Sequence, residues 1–251
     1  SIVFSHGGLT YGGLITDHRM TANLMIDIVR SINDFIKVHI GATAVVYKPS
    51  QWIYHSMPSE EDLYALSSVC HASLSAREIS STICLDNRPN FSELRRRCVK
   101  KAEKAGIDVR ECDDFSAFWQ ILSTNLKCKY GVSPVHSLEE IQYLHDAFPE
   151  DIRLYVARLG NNLIGGVLLY ITPQVVHAQY ISATEEGKKL HAIDAIFHKI
   201  LMDDFHGYKY FDFGTSNEDM GRYLNEGLIY QKEGFGGRAV CYDWYEVMIN
   251  R

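Results

Sequence analysis

The spacing of hydrophobic residues changes several times along the first third of the chain, and each change predicts a new element. Apolar residues recur at helical spacing over residues 16–36, behind an Asp/Thr start, and predict an amphipathic helix. Two β-rich stretches follow at 42–47 and 52–55, then a helix at 60–69 and a strand at 79–85. These elements predict part of an α/β unit whose opening strands are missing.

A helix with a basic outer face separates this first unit from the rest of the chain. Over residues 91–106 the apolar residues form one stripe, and Gly106 supplies the stop. The predicted domains are therefore an incomplete N-terminal unit at 1–90, a linker helix at 91–106 and a complete C-terminal unit at 107–251.

The order of elements in the C-terminal unit predicts an α+β fold, with helices packed on a mixed sheet. Ser137 followed by Glu140 predicts a capping box, and Gly160 with two asparagines predicts a hairpin turn. The predicted elements are helices at 113–127 and 137–147, strands at 152–158, 163–171 and 175–182, a helix at 190–205, a strand at 209–213, a short helix at 219–226 and a closing strand at 239–247.

The composition is typical of a folded globular protein. Of the 251 residues, 46% are hydrophobic and 22% are charged, which argues against a disordered or fibrous chain. The longest apolar run, at 163–171, is far shorter than the roughly 20 residues of a spanning helix, so we expect no membrane span. A net charge of −6 gives no overall attraction to nucleic acid, and any such contact must be local.

Motifs for several common chemistries are absent from the sequence. The six cysteines include no C-x-x-C pair or zinc-ligand spacing, and no Walker A, G-x-S-x-G or H-E-x-x-H motif occurs. We therefore expect reduced thiols, a cytoplasmic location, no bound metal and no tightly bound cofactor. Because the chain opens at Ser1 within a strand-like segment, we also expect a fragment, and an upstream targeting peptide stays open.

Three strings after residue 90 resemble the signatures of a known family. They are FSELRRRCVKKAEKAGIDV at 91–109, YFDFG at 210–214 and IYQKEGFGG at 229–237. With the order of elements, they are similar to the GNAT acyltransferase fold, and within it to the Fem-type (FemABX-like) aminoacyltransferases that build peptidoglycan bridges in bacteria. This resemblance implies two GNAT-like units in tandem, the first of them truncated. Two features depart from the pattern: Thr215 replaces a glycine, and no helical-arm insertion is present.

The resemblance also implies an activity, N-acyl transfer. In such enzymes an acceptor amine attacks an activated acyl carbonyl directly, while the fold positions both groups and stabilises the oxyanion. The expected donor is acyl-CoA or aminoacyl-tRNA, and the expected acceptor is an amine-bearing small molecule, a peptide or a peptidoglycan precursor. The alternative is a catalytically inactive GNAT-like ligand-binding module. The loop at 184–189 favours this alternative, because it matches the phosphate-binding pattern of GNAT enzymes only in part.

The strand at 175–182 is the candidate wall of the acyl-binding cleft. In GNAT enzymes the corresponding strand separates from its neighbour, and its backbone amide polarises the acyl carbonyl. Alternation puts His177 and Gln179 on one face of this strand and Ala178 and Tyr180 on the other. His177 and Gln179 are candidates for acceptor binding or proton transfer, and Tyr180 for donor binding. A hydrogen-bonded core histidine is the alternative for His177.

Asp212 and Lys232 complete the predicted catalytic set. Asp212 ends a strand, where it is a candidate to orient the attacking amine, with capping of the following turn as the alternative. The Fem resemblance places Lys232 near the ester or phosphate of the donor, where a fixed ammonium stabilises an oxyanion. An ordinary exposed lysine is the alternative. Gly236, in the glycine-rich run after Lys232, is predicted to bind the donor.

The loop at 184–189 is the candidate phosphate site. It lies between a strand and a helix N-terminus, where backbone amides and the helix dipole favour a phosphate. Gly187, Lys188 and Lys189 are therefore predicted to bind the donor, although two glutamates in the loop oppose the lysines. A charged, solvated turn is the alternative.

The basic helix at 91–106 is a candidate contact for tRNA. Arg95, Arg96, Lys100 and Lys101 provide positive charges that attract phosphates. The favoured alternative is a solvated polar face, because any amphipathic helix carries one and no aromatic residues alternate with these charges to stack on bases.

Overall fold

Residues 1–249 are described by a computed structural model, and they divide into two units. Unit 1 comprises Ser1–Ile79, Thr215–Asn225 and the chain from Val240 on, and unit 2 comprises Ser80–Gly214 and Glu226–Ala239. Both units are discontinuous in sequence, because single strands run from one unit into the other near residues 80 and 240.

Helices and strands are mixed along the chain. The helices are α1 (Ala22–Phe35), α2 (Glu61–Cys70), α3 (Glu93–Lys104), α4 (Ser116–Tyr130), α5 (Leu138–Ala147), α6 (Glu185–Lys189), α7 (Ala192–Lys199) and α8 (Glu226–Gly234). The strands are β1 (Ile2–Phe4), β2 (Ala44–Tyr47), β3 (Ser73–Cys84), β4 (Ile107–Glu111), β5 (Ile152–Leu159), β6 (Asn162–Ile171), β7 (Val175–Ala183), β8 (Tyr210–Thr215), β9 (Asn217–Glu218), β10 (Tyr223–Leu224) and β11 (Arg238–Met248). None of the helices within residues 1–249 has the length and apolar character of a membrane span.

Unit 1 contains a mixed sheet in the order β1-β2-β11-β3. Strands β1 and β2 are parallel, whereas β2 and β11 are antiparallel. Met25 and Val29 of α1 and Leu66 of α2 pack with Val45 and Val247 of the sheet. Burial of these apolar side chains is the main force that holds the unit together.

Unit 2 is built on a larger mixed sheet in the order β3-β8-β7-β6-β5-β4. Strands β4 to β7 form an antiparallel meander, and β7 pairs parallel with β8. Because a parallel pair needs a crossover connection, α6 and α7 lie between β7 and β8 in the chain. The carboxyl ends of β7 and β8 therefore meet at one edge of the sheet, next to the start of α6.

Both faces of the unit 2 sheet are covered by helices. Val167 and Leu169 of β6 pack on one side with Phe197 of α7, in a core rich in aromatic rings. Leu154 of β5 packs on the other side with Phe118 of α4. Two covered faces explain why β5 and β6 are almost continuously apolar in sequence.

The sequence patterns predicted most elements of unit 2. The capping box of α5 is confirmed, because the Glu140 amide donates to Ser137 Oγ at 3.1 Å and the Ser137 amide donates to Glu140 Oε2 at 2.7 Å. The hairpin between β5 and β6 turns at Gly160, which has a φ of 57°. Strand β4 was not predicted, because it is mostly exposed at the edge of the sheet and lacks a strong apolar alternation.

Two predictions in unit 1 are wrong. Residues 52–55 form a 3₁₀ turn instead of a strand, closed by a hydrogen bond from the His55 amide to the Trp52 carbonyl. Residues 219–222 form a turn instead of the start of a helix, because Asp219, Met220 and Gly221 all have positive φ values, and β10 follows this turn. The helix of this region is α8, which begins where the predicted one ends.

The long helix predicted at 190–205 consists of α7 and a π-helical turn, and it begins after an interruption at His191. His191 has a φ of 61°, in the left-handed region, and separates α6 from α7. A π-helical turn at Ile200–Asp204 then replaces the last part of the predicted helix. The apolar periodicity continues across both interruptions, so the sequence pattern did not reveal them.

The two units do not coincide with the ranges predicted at 1–90, 91–106 and 107–251. Helix α3, predicted to be a linker, lies within unit 2 and packs against α7. The discontinuity arises because β3 and β11 each contribute residues to both units, and no change of composition marks such a crossing. A tandem of two GNAT-like units stays a prediction.

Candidate active site

Strand β8 buries a carboxylate in unit 2. Phe211 and Phe213 point into the aromatic core, and alternation turns Asp212, which lies between them, to the opposite face of the sheet. Asp212 is 0% exposed. A buried carboxylate without partners is strongly destabilising, so the side chains around Asp212 must supply hydrogen bonds or positive charge.

Three side chains from two neighbouring strands supply the hydrogen bonds. Ser80 Oγ and Thr82 Oγ1 of β3 donate to Asp212 Oδ1 at 2.5 and 2.8 Å. His177 Nδ1 of β7 lies 2.8 Å from Asp212 Oδ2. Ser80, Thr82 and His177 are themselves buried. A carboxylate only accepts hydrogen bonds, so the proton of this contact lies on Nδ1, and Nε2 is the other ring nitrogen of His177.

Lys232 of α8 supplies the positive charge. Its side chain is 4% exposed, and Nζ donates to the Gly214 carbonyl at 2.8 Å. Burial lowers the pKa of Lys232 from 10.5 to about 8, and the attraction of Asp212 opposes part of that shift. The lysine is therefore mainly an ammonium at neutral pH, although it loses the proton more readily than an exposed lysine does. We refer to Asp212, Ser80, Thr82, His177 and Lys232 as the Asp212 cluster.

The Asp212 cluster lies where the pairing of β7 and β8 ends. Their ladder comprises the pairs Val175↔Tyr210, Val176↔Phe211 and His177↔Asp212, although β7 continues to Ala183 and β8 to Thr215. The pairing of the two strands therefore ends at the cluster, and the separation of these strands that the GNAT resemblance implied stays a prediction.

A bulge in β7 changes which side chains share a face. Leu168 of β6 pairs with Tyr180, and Leu169 pairs with Ala178, so Gln179 has no opposite residue in that ladder. Ala178 consequently packs in the core beside α7, and Tyr180 packs against the other core. The prediction that Ala178 and Tyr180 share a face is wrong, because a regular alternation cannot include the extra residue.

Tyr180 and Gln179 lie close to the loop that precedes α5. Tyr180 Oη and His136 Nδ1 are 2.8 Å apart, and the Tyr180 ring makes an edge contact with Trp119 at 5.3 Å between centroids. Gln179 is half-buried at the bulge. Tyr180 is thus held by side chains other than those of the Asp212 cluster, and donor binding by Tyr180 and acceptor binding by Gln179 stay predictions.

The predicted phosphate loop is a short helix, α6, in which the oppositely charged residues pair. Thr184 Oγ1 accepts a hydrogen bond from the Gly187 amide at 3.0 Å, and Lys188 Nζ lies 2.6 Å from Glu185 Oε1. This pair lowers the pKa of Glu185. Lys189 is exposed. The acidic first turn and the paired lysine reduce the attraction of this segment for a phosphate.

Gly187 has a packing role that the sequence did not reveal. A Cβ atom at this position would lie 2.0 Å from the Ile164 carbonyl oxygen, so only glycine permits α6 to lie so close to β6. Gly236 occupies the turn after α8 with a φ of 102° and lies close to Pro89. Binding of the donor by Gly187, Lys188, Lys189 and Gly236 stays a prediction.

Arg95 does not belong to the exposed basic face of α3. Its guanidinium pairs with the buried Asp194 of α7 at 2.7 Å and lies over the ring of Phe235. The prediction that Arg95 contacts tRNA is therefore replaced by a role in holding α3 on α7. Arg96, Lys100 and Lys101 are exposed, and their predicted contact with tRNA is unchanged.

Ser80 and Thr82 are the members of the Asp212 cluster that sequence reasoning missed. They lie on a strand segment whose residues, from Ser80 to Ile83, are all buried. Three successive hydroxyl residues in a buried strand are unusual, since buried hydroxyls need partners. That run, SSTI, was the available signal, and it pointed to an internal acceptor such as Asp212.

Comparison with known proteins identifies the family to which this chain belongs. Residues 92–223 match the family model described as "Acetyltransferase (GNAT) domain", which is more than half of the chain. No curated protein matches the chain with significance.

Several solved structures are similar in fold. FemX has a TM-score of 0.67 at 13% identity, with 94% of this chain and 79% of that chain covered. The C-terminal domain of a putative lysylphosphatidylglycerol synthetase from Agrobacterium fabrum has a TM-score of 0.61 at 12% identity, with 93% and 74% covered. L-PGS from Bacillus licheniformis has a TM-score of 0.59 at 12% identity, with 92% and 74% covered. At such identities the similarity establishes the fold, and the predicted GNAT fold is confirmed.

Substitution of Gly187 by alanine tests its packing role. Because the added Cβ would overlap the Ile164 carbonyl, we expect Gly187→Ala to lower the free energy of unfolding by about 2–3 kcal/mol, measured by urea denaturation. Gly207→Ala is the matched control, since no heavy atom lies within 4 Å of its Cβ position. A Gly187→Ala protein as stable as the control would contradict the packing role.

Substitution of Lys232 by methionine separates a functional role from a structural one. Because the pKa of Lys232 falls to about 8 on folding, the charged lysine favours the unfolded state below pH 8, by roughly 3 kcal/mol from the size of that shift. Removing it also deletes one hydrogen bond worth about 1 kcal/mol. We expect Lys232→Met to be more stable than the wild type by about 2 kcal/mol in urea denaturation at pH 7.

The pH dependence of this difference provides the control. Between about pH 8 and pH 10.5 the unfolded lysine binds more protons than the folded one. The free energy of unfolding of the wild type therefore rises relative to that of the variant as pH rises. Lower stability of Lys232→Met at pH 7 would instead assign Lys232 a structural role.

Proposed function

Because the chain belongs to the acetyltransferase (GNAT) domain family, we propose that it transfers an acyl or aminoacyl group from an activated donor to an amine. The observation that carries this proposal is the position of the Asp212 cluster at the end of the ladder between β7 and β8. A carboxylate, an imidazole and an ammonium converge there. Such a site offers a base and an oxyanion-stabilising donor to a reacting carbonyl.

His177 is the proposed general base. Its Nδ1 donates to Asp212 Oδ2 at 2.8 Å, which fixes the ring and makes Nε2 the proton acceptor. The amine nitrogen attacks the carbonyl carbon, and its proton passes to Nε2. Asp212 stabilises the resulting imidazolium. Ser80 and Thr82 hold the Asp212 carboxylate in place and are positioning residues.

Lys232 is the proposed oxyanion-stabilising group. Its ammonium donates to the Gly214 carbonyl at 2.8 Å and is fixed at the end of β8. As the tetrahedral intermediate forms, negative charge develops on the carbonyl oxygen, and a buried ammonium stabilises it more than a solvated one does. When the intermediate collapses, the bond to the thiolate or ribose oxygen of the donor breaks and the amide bond remains. The leaving group takes up the proton held by His177.

The charges of α6 favour aminoacyl-tRNA over acyl-CoA as the donor. The first turn of α6 contains Glu185 and Glu186, and Lys188 is paired with Glu185 at 2.6 Å. These carboxylates oppose a pyrophosphate at this helix N-terminus. The fold is also shared with FemX and with a putative lysylphosphatidylglycerol synthetase, whose name denotes an aminoacylated product. An amine-bearing peptidoglycan precursor in the cytoplasm is the proposed acceptor.

A transfer assay with two donors tests the proposal. The protein is incubated with radiolabelled aminoacyl-tRNA or acyl-CoA and with an amine-bearing peptidoglycan precursor. We expect label to move to the amine from aminoacyl-tRNA, and Lys232→Met and Asp212→Asn to reduce the rate at least about 100-fold. Lys129→Met removes an exposed lysine outside the site and is expected to retain the rate.

The pH profile and the failure of transfer complete the test. Because the pKa of Lys232 is about 8, the wild-type rate is expected to fall as pH rises through that value. Calorimetric binding of the precursor without transfer from either donor would contradict an acyltransferase and support a GNAT-like ligand-binding module. Equal rates for Lys232→Met and Lys129→Met would contradict the role of Lys232.

A further inference from the structure

A second group of chemically reactive side chains in unit 2 lies outside the Asp212 cluster. Cys98 of α3 and Asp194 of α7 are joined there by His191, the residue that precedes α7. One potential ligand atom from each residue, a thiol sulfur, an imidazole nitrogen and a carboxylate oxygen, lies within 4.8 Å of the other two. Because Cys98 is distant in sequence from the other two, no spacing motif revealed this group.

Two of these residues are buried, which is common for a cysteine and unusual for a carboxylate. Cys98 is 3% exposed and Asp194 is 4% exposed, whereas His191 is half-buried at the rim. Cys98 and Asp194 face each other because α3 packs against α7. A soft sulfur and a carboxylate are thus buried close together, with a half-buried imidazole beside them.

We propose that Cys98, His191 and Asp194 bind a divalent cation of borderline softness, with Zn²⁺ as the preferred ion. Thiolate, imidazole and carboxylate are the ligands that zinc takes in proteins, at about 2.0–2.3 Å. Tetrahedral bonds of that length place ligand atoms about 3.3–3.8 Å apart. The observed separations need only a small inward movement of the side chains. Three protein ligands leave the fourth position to water.

The backbone of His191 supports this assignment. His191 has a φ of 61°, and its side chain makes no capping hydrogen bond to α7. A left-handed conformation at a residue other than glycine is unfavourable by about 1 kcal/mol and is often found at ligand sites. Here that conformation directs the chain so that His191 and Asp194 lie beside the same cysteine.

Arg95 adjusts the charge of the site without excluding the ion. Its Nη1 lies 2.7 Å from Asp194 Oδ1, and a carboxylate has lone pairs on both oxygens for further partners. When the ion binds, the Cys98 S–H bond breaks, its proton passes to solvent and the sulfur–metal bond forms, with no change of oxidation state. The ion would tie α3 to the start of α7, directly after α6.

Metal titration of the full chain tests the proposal. Reduced protein freed of metal with a chelator is titrated with Zn²⁺ against a chromophoric competitor, and with Co²⁺ while absorbance is recorded. We expect one ion per chain and a Co²⁺ complex with thiolate-to-metal charge-transfer absorption in the near ultraviolet. Cys98→Ser should remove that absorption, and His191→Ala should weaken Zn²⁺ binding at least about 100-fold.

Matched variants separate this site from scattered histidines and cysteines. Cys128→Ser and His206→Ala alter exposed residues outside the group and are expected to bind Zn²⁺ as the wild type does. Circular dichroism checks that each variant is folded, and the half-buried His191 provides a variant if Cys98→Ser does not fold. Wild-type protein without the thiolate band, or His191→Ala with wild-type affinity, would overturn the proposal. Either result leaves the acyl-transfer assay unaffected.

Discussion

The interaction on which the candidate site depends is the burial of the Asp212 carboxylate among hydrogen-bond donors and one ammonium. Asp212 is 0% exposed and accepts hydrogen bonds from Ser80, Thr82 and His177. Removing any one of these partners leaves part of a buried charge unsatisfied. The strands β3, β8 and β7 therefore have to meet in one register, and the imidazole and Lys232 become fixed at the place where the pairing of β7 and β8 ends. A single buried charge thus links the fold to the proposed chemistry.

The Asp212 cluster lowers the stability of the folded protein, because it keeps a reactive ammonium away from water. A methionine would fill the position of Lys232 without the desolvation that lowers its pKa to about 8. Buried ionisable groups of this kind are typical of functional sites. Arg95 and Asp194, by contrast, form an ion pair that holds α3 on α7, and a thiol and an imidazole lie beside this pair. The two groups share no residue and are chemically distinct.

The sequence predicted the parts of the structure that follow regular periods. The apolar pattern placed a strand at 209–213 with Asp212 near its end, and the Ser137 cap located the start of α5. Lys232 came from the family resemblance, because no periodic pattern distinguishes a buried lysine from an exposed one. The bulge at Gln179 was not predicted, because it depends on the pairing with β6. The hydroxyls of β3 were not recognised as site residues, because the carboxylate that accepts their hydrogen bonds is distant in sequence.

The pKa of the Lys232 ammonium, measured in the wild-type protein, tests the central claim most directly. NMR titration of ¹³Cε-labelled lysines gives this value, and the Lys232 resonance is assigned by its absence in a Lys232→Met spectrum. Because desolvation outweighs the attraction of Asp212, we expect a pKa of about 8 for Lys232, below the ordinary value of 10.5. A value near 10.5 would show that desolvation of the ammonium is absent or fully offset, and it would contradict the account of Lys232 as a desolvated charge in the Asp212 cluster.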